Sequence, residues 1–137
     1  MAAGIDPIYV ATPKIGFGST NLTTANTGSD GTGTVSTLMT AGPSGSFAEK
    51  VIVRHLGTNI QTVLRIFINN GSTNATAANN RLIREVTVPA NTLSQTAASL
   101  AIDVPINIPI QANYTLLGTI GTTIASGLAL TTVYGDY

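Results

Sequence analysis

The stretch VIVRHLGTNIQTVLRIFINN, Val51 to Asn70, carries the pattern that decides the fold. It contains two apolar runs, Val51–Leu56 and Gln61–Asn69, separated by Gly57-Thr58-Asn59. Val, Ile, Leu and Phe dominate both runs, and such side chains fit a pleated, half-buried surface. The Gly-Thr-Asn joint is turn chemistry, so the pair is expected to form an antiparallel hairpin. In the second run Leu64, Ile66 and Ile68 alternate with Val63, Arg65 and Phe67. A hairpin with one wet face has no use for Val63 and Phe67 on that face. Two arrangements satisfy the pattern. Either both faces lie inside one barrel or sandwich, or the face carrying Val63 and Phe67 meets another subunit.

Downstream, Asn70–Asn80 is a polar loop of small residues, and Arg81–Val88 is a strand with Leu82, Val86 and Val88 on one face, ended by Pro89-Ala90-Asn91. Ile102–Gln111 has the cleanest alternation in the chain. Ile102, Val104, Ile106, Ile108 and Ile110 face one way, and polar residues and prolines face the other. Pro105 and Pro109 remove backbone donors, which marks an unpaired edge or a bend into another sheet. Tyr114–Ile120 and Leu128–Tyr134 supply two more strands around the turn Gly121–Gly127. Upstream, Thr34–Ala41 is a strand between the turn signals Asp30-Gly31 and Gly42-Pro43. No segment has a helical period; Ala97–Leu100 makes one turn at most. About seven or eight short strands separated by turns predict an all-β fold, an antiparallel β-sandwich of jelly-roll type with an extended N-terminal segment.

That segment reads differently from the rest. Residues 1–33 are expected to be an extended arm and 34–137 a single β-sandwich domain. Pro7 and Pro13 hold the start extended, and from Gly16 to Ser46 the only charge is Asp30. The Gly/Ser/Thr/Asn run suits either a flexible leader or an arm laid over a neighbouring subunit. Ile5, Ile8, Tyr9, Val10, Ile15 and Phe17 are its apolar anchors, at spacings too irregular for a helix. With Val63 and Phe67 they are the candidate contacts to a neighbouring subunit or partner protein. A strand belonging to the chain's own domain is the competing reading of this segment.

The 137 residues suffice for one domain with a real core. Charged residues make up 9 %, against about 25 % in ordinary domains, and six basic residues balance six acidic ones. That balance leaves no electrostatic footprint for nucleic acid. There is no cysteine, hence no disulfide or thiolate site. The start, MAAGIDPIYV, lacks the pattern of a signal peptide, and no apolar run is long enough for a membrane helix. No membrane partner is expected. His55 is the single histidine, too few for a multi-histidine metal site, and no G-x-S-x-G motif positions a serine. Asp6, Asp30, Glu49, Glu85, Asp103 and Asp136 are scattered along the chain rather than paired. Asp30 is assigned to a turn, and the Asn-x-Ser/Thr matches to chance in a chain rich in Asn and Thr. The expectation is a protein without catalytic residues, metal or cofactor.

Four pieces together resemble a family of small tailed-phage and prophage proteins encoded among head structural genes. They are Ala25–Gly42 (ANTGSDGTGTVSTLMTAG), Val51–Gly71 (VIVRHLGTNIQTVLRIFINNG), Arg81–Thr92 (RLIREVTVPANT) and the C-terminal VYGDY, Val133–Tyr137. The resemblance implies a capsid-associated jelly-roll protein, a cement or decoration protein on the outside of a phage shell. It further implies a homo-oligomer, most simply a trimer, with the major capsid protein as partner. Such a protein is made in the host bacterial cytoplasm and carried on the virion. The alternative is a jelly-roll module of a head fibre or tail component that recognises cell-surface carbohydrate.

Overall fold

A computed structural model describes residues 9–137. The described residues form eight strands: β1 (Thr12–Phe17), β2 (Ser36–Thr40), β3 (Ser46–His55), β4 (Thr62–Asn69), β5 (Asn80–Val88), β6 (Ile102–Ile110), β7 (Thr115–Ile120) and β8 (Leu128–Asp136). A 3-10 turn, Ala77–Asn79, precedes β5. The strands form two antiparallel sheets in the orders β1-β8-β3-β6 and β2-β7-β4-β5. First pairs with last, second with seventh, third with sixth and fourth with fifth. This is one long hairpin rolled up on itself, the jelly roll the strand pattern predicts. Pairing of β3 with β8 and of β4 with β7 completes each sheet.

The alternation read in the sequence sets the interior. Val51 and Val53 from β3, Leu64 and Ile66 from β4, Val104, Ile106 and Ile110 from β6, and Leu128 and Leu130 from β8 fill the space between the sheets. β6 is an edge strand, as its prolines require. Asn107, at φ 51°, sits where the β3–β6 register shifts between Ala48 and Lys50. Arg84 closes this edge of the sandwich. Its guanidinium donates from β5 to the carbonyls of Pro105 and Ile106, each at 2.9 Å.

The expected hairpin between Val51–Leu56 and Gln61–Asn69 does not form. β3 and β4 lie in different sheets, and Leu56–Gln61 crosses between them. Stacked sheets lie about 10 Å apart, and a link of this length reaches roughly 20 Å. Asn59 holds the crossing. Its backbone exchanges both hydrogen bonds with Asn91, at 2.9 and 2.8 Å, and its amide donates to the Gly127 carbonyl at 2.9 Å. Crossing lets both runs point their apolar rows at one interior, which a flat hairpin could not.

The expected arm is also corrected. Thr12–Phe17 is a strand of the domain, paired with β8 from Thr12↔Asp136 to Phe17↔Thr131. Residues 18–35 are tied to the sandwich along their length. Leu22 is buried in the core and exchanges two backbone bonds with Leu128, each 3.0 Å. Asn26 donates its N–H to the Ile120 carbonyl at 2.7 Å. Farther on, Asn80 donates to the Asp30 carbonyl, and Asn74 to those of Gly31 and Gly33. Gly31 has φ +78° and packs so closely on Asn80 that a Cβ there would collide with it. Asp30 serves the turn, as expected, by accepting from the N–H and hydroxyl of Thr32.

Candidate docking face

The two sheets differ on their outward sides. On β8, Leu130 and Thr132 point inward and are buried, so Thr131 and Val133 point out. Register then defines three outward rows across the β1-β8-β3-β6 sheet. These are Phe17–Thr131–Ile52, Ile15–Val133–Lys50 and Pro13–Gly135–Phe47. Ile15 is 58 % exposed and Phe17 78 %. The only cation in the three rows, Lys50, pairs with Asp103 at 3.2 Å, a surface contact that adds little stability. The chain before β1 continues onto this face. Val10 lies over Gly135, where any Cβ would strike it, and Tyr9 stands exposed. Val10, Pro13, Phe47 and Val133 border a shallow groove of about 200 Å³ here.

The opposite outward side belongs to the β2-β7-β4-β5 sheet and is covered at its centre. Phe67 pairs with Leu117 and with Leu82, and Leu117 pairs with Thr37, giving one row across the sheet. Phe67 and Leu117 are buried, yet neither belongs to the cluster between the sheets. The β1–β2 connection is fastened at Ile120 and at Asn80, on either side of this row. The chain's own loop therefore roofs the centre of the row, while Leu82 at its β5 end is 41 % exposed.

The candidate contacts fall into three groups. Tyr9, Val10, Ile15 and Phe17 lie on the open side and are exposed. Val63 and Phe67 are on the other sheet, half-buried and fully buried respectively, so Phe67 is no exposed subunit contact. Ile5 and Ile8 lie outside the described residues. Sequence reasoning did not single out Phe47, Ile52 and Val133. Their signal was available: each is out of phase with the buried rows of its strand.

Two polar arrangements brace the sandwich ends. At one end Asp136 accepts from the Lys14 ammonium, the Ser46 hydroxyl and the Gly42 N–H. The Lys14 contact, then the Ser46 hydroxyl, hold its carboxyl below the usual carboxylate range. At the other end Asn59 Oδ1 accepts from the N–H groups of Ser126 and Gly127, at 2.8 and 3.2 Å. That orients its amide, which donates to Gly127 and faces His55 Nδ1 at 3.2 Å. His55 Nδ1 is therefore the acceptor and Nε2 carries the proton. Burial, more than the nearby Arg54, pushes the His55 pKa down, against the Pro89 carbonyl. Among the described residues no group of three His, Asp or Glu side chains is placed to hold a metal ion.

No family model, curated protein or solved structure matches this chain.

Proposed function

We propose that this is a structural virion protein, a cement or decoration protein that docks on the outside of a phage capsid through the open face of its β1-β8-β3-β6 sheet. The observation that carries the reading is the asymmetry of the two outward sides. Phe67 and Leu117 on one side are roofed by the chain's own loop, whereas Ile15 and Phe17 stand bare beside Phe47, Ile52 and Val133. A contiguous apolar patch rimmed by polar residues is the usual form of a protein-binding surface. β1 adds an edge strand to the same face, a second means of joining a neighbouring chain. Charge at this face lies on its β3–β6 side, where Glu49 borders the groove and Lys50 pairs with Asp103, which leaves the β1–β8 side apolar. Trimerisation and contact with the major capsid protein belong to the same proposal.

Imaging particles made by the genome that encodes this chain tests it. Regular density for the chain over the shell, at copy numbers comparable to the capsid protein, supports the reading. Density confined to a tail or a few fibres, or no chain on the particle, overturns it.

A further inference from the structure

We infer that the end of the sandwich formed by the β3–β4, β5–β6 and β7–β8 connections carries a binding site for an uncharged saccharide. A cavity of about 540 Å³ opens there, lined by Thr58, Asn59, Ile60, Asn91, Thr92 and Thr123, with Ala90 and Ala125 between them. Its size lies within the roughly 300–1,000 Å³ of small-molecule sites.

The walls are fixed by bonds among these connections and to the β1–β2 connection. Asn59 and Asn91 exchange backbone hydrogen bonds, and the Asn91 amide donates to the Gly57 carbonyl at 2.9 Å. Thr58 Oγ1 accepts the Leu93 N–H at 3.0 Å, and Thr123 Oγ1 accepts that of Ala25 at 3.0 Å. Site groups fixed in this way lose little freedom when a ligand arrives.

The same bonds define what remains to offer. Thr58 and Thr123 use a lone pair on the protein and keep their hydroxyl protons to donate. The Thr92 hydroxyl can donate or accept. Asn91 has spent an amide proton on Gly57, and no donor among the described residues reaches its Oδ1. The lining thus holds donors and acceptors and no ionisable side chain. Ile60, 59 % exposed, and the two alanines give it an apolar floor. A neutral pyranose matches this set: hydroxyls around its rim meet the threonines and Asn91, and its C–H face packs on Ile60. An ion or a charged sugar would find no counter-charge.

The site lies far from the end where the described chain starts and finishes. Ala11 bonds to Asp136, and Tyr137 to Gly45, at the opposite end of the sandwich. Saccharide binding is independent of capsid docking, and it is tested on the free protein.

The test is a titration of the isotope-labelled chain, followed through its amide resonances. Glucose, galactose, mannose and N-acetylglucosamine, with their short oligomers, are the probes, and sialyl and sulfated sugars are the charged comparison. The expected result is saturable shifts at Thr58, Asn91, Thr92 and Thr123 for an uncharged probe, with Kd on the order of 1 mM or tighter. Thr92→Val, an exposed change that breaks no protein bond, should weaken binding about tenfold; Thr123→Val is a second variant at the site. The inference is overturned if no uncharged probe shifts these amides saturably, if only charged sugars bind, if the shifts map to the Ile15–Phe17 face, or if Thr92→Val and Thr123→Val both bind like the unaltered chain.

Discussion

Phe67 and Leu117 are cross-strand partners on the outward side of their sheet, and both are buried. Outward side chains of a two-layer sandwich are ordinarily wet. These two are dry because the β1–β2 connection crosses their sheet and is fastened on both sides of them.

Phe67 therefore belongs to the folded monomer. Phe67→Ala should lower unfolding free energy by about 3–5 kcal/mol, the usual loss for a buried phenylalanine. Urea denaturation measures it. The folded fraction should keep the oligomeric state of the unaltered protein. A variant with normal stability but impaired assembly would return Phe67 to an interface.

Ile15 and Phe17 should behave in the opposite way. The double change Ile15→Ser, Phe17→Ser alters exposed side chains, so stability should move by no more than about 0.5 kcal/mol each. Self-association or particle binding should fall about tenfold or more. Light scattering and co-sedimentation read the second effect, and thermal melting the first. Unchanged association in both assays sinks the docking face.

Asp136 ties β8 to β1 through Lys14 and to β3 through Ser46. Its pKa is lowered from 3.8 in the folded chain, so the unfolded chain takes up a proton first as the solution is acidified. The stabilisation is fully present above about pH 4 and is lost as pH falls through the folded value. The Lys14 pKa is raised from 10.5, so the same contact also fails as pH rises beyond that range. Asp136→Asn should melt lower than the unaltered chain at neutral pH, and the gap should close in acid. A gap that persists at low pH contradicts this account.

His55 predicts a second acid effect. Its pKa is lowered from 6.5, so stability is full above that pH and declines as pH falls below it. Protonation would also set an N–H at Nδ1 against the Asn59 amide, which cannot turn without releasing Ser126 and Gly127. His55→Gln should flatten the slope of melting temperature as pH falls below about 6.5. An identical slope in the variant would place the titrating group elsewhere.

The strands that could be read in the sequence are those with a buried row. β6 announces itself through Ile102 to Ile110, and β4 through Leu64, Ile66 and Ile68. β1 has no such row: Ile15 and Phe17 both point outward, and nothing in TPKIGF marks an inner face. The turn at Gly57-Thr58-Asn59 was legible, but a turn signal does not say which sheet the chain enters next. That depends on Asn91 and Gly127, far along the chain. The β1–β2 connection has a linker's composition, and the amides of Asn26, Asn74 and Asn80 hold it without any hydrophobic pattern. Half of the candidate docking face was visible as the anchors Tyr9 to Phe17. The other half needed the register that sets Phe47, Ile52 and Val133 beside them.

Pairing the first strand with the last has a consequence during synthesis. β1 emerges from the ribosome long before β8, its only partner strand among the described residues. At ordinary translation speed the wait is on the order of ten seconds. β2 waits in the same way for β7, and β3 for β6. Pairing of neighbours in sequence is confined to β4 and β5, so the earlier strands join only as β6, β7 and β8 appear, and the sandwich closes only once translation has passed Asp136. Topologies of this kind fold slowly. Through that interval Ile15 and Phe17 are exposed on an unpaired strand, the form most open to capture by a chaperone or by another nascent copy on the same message.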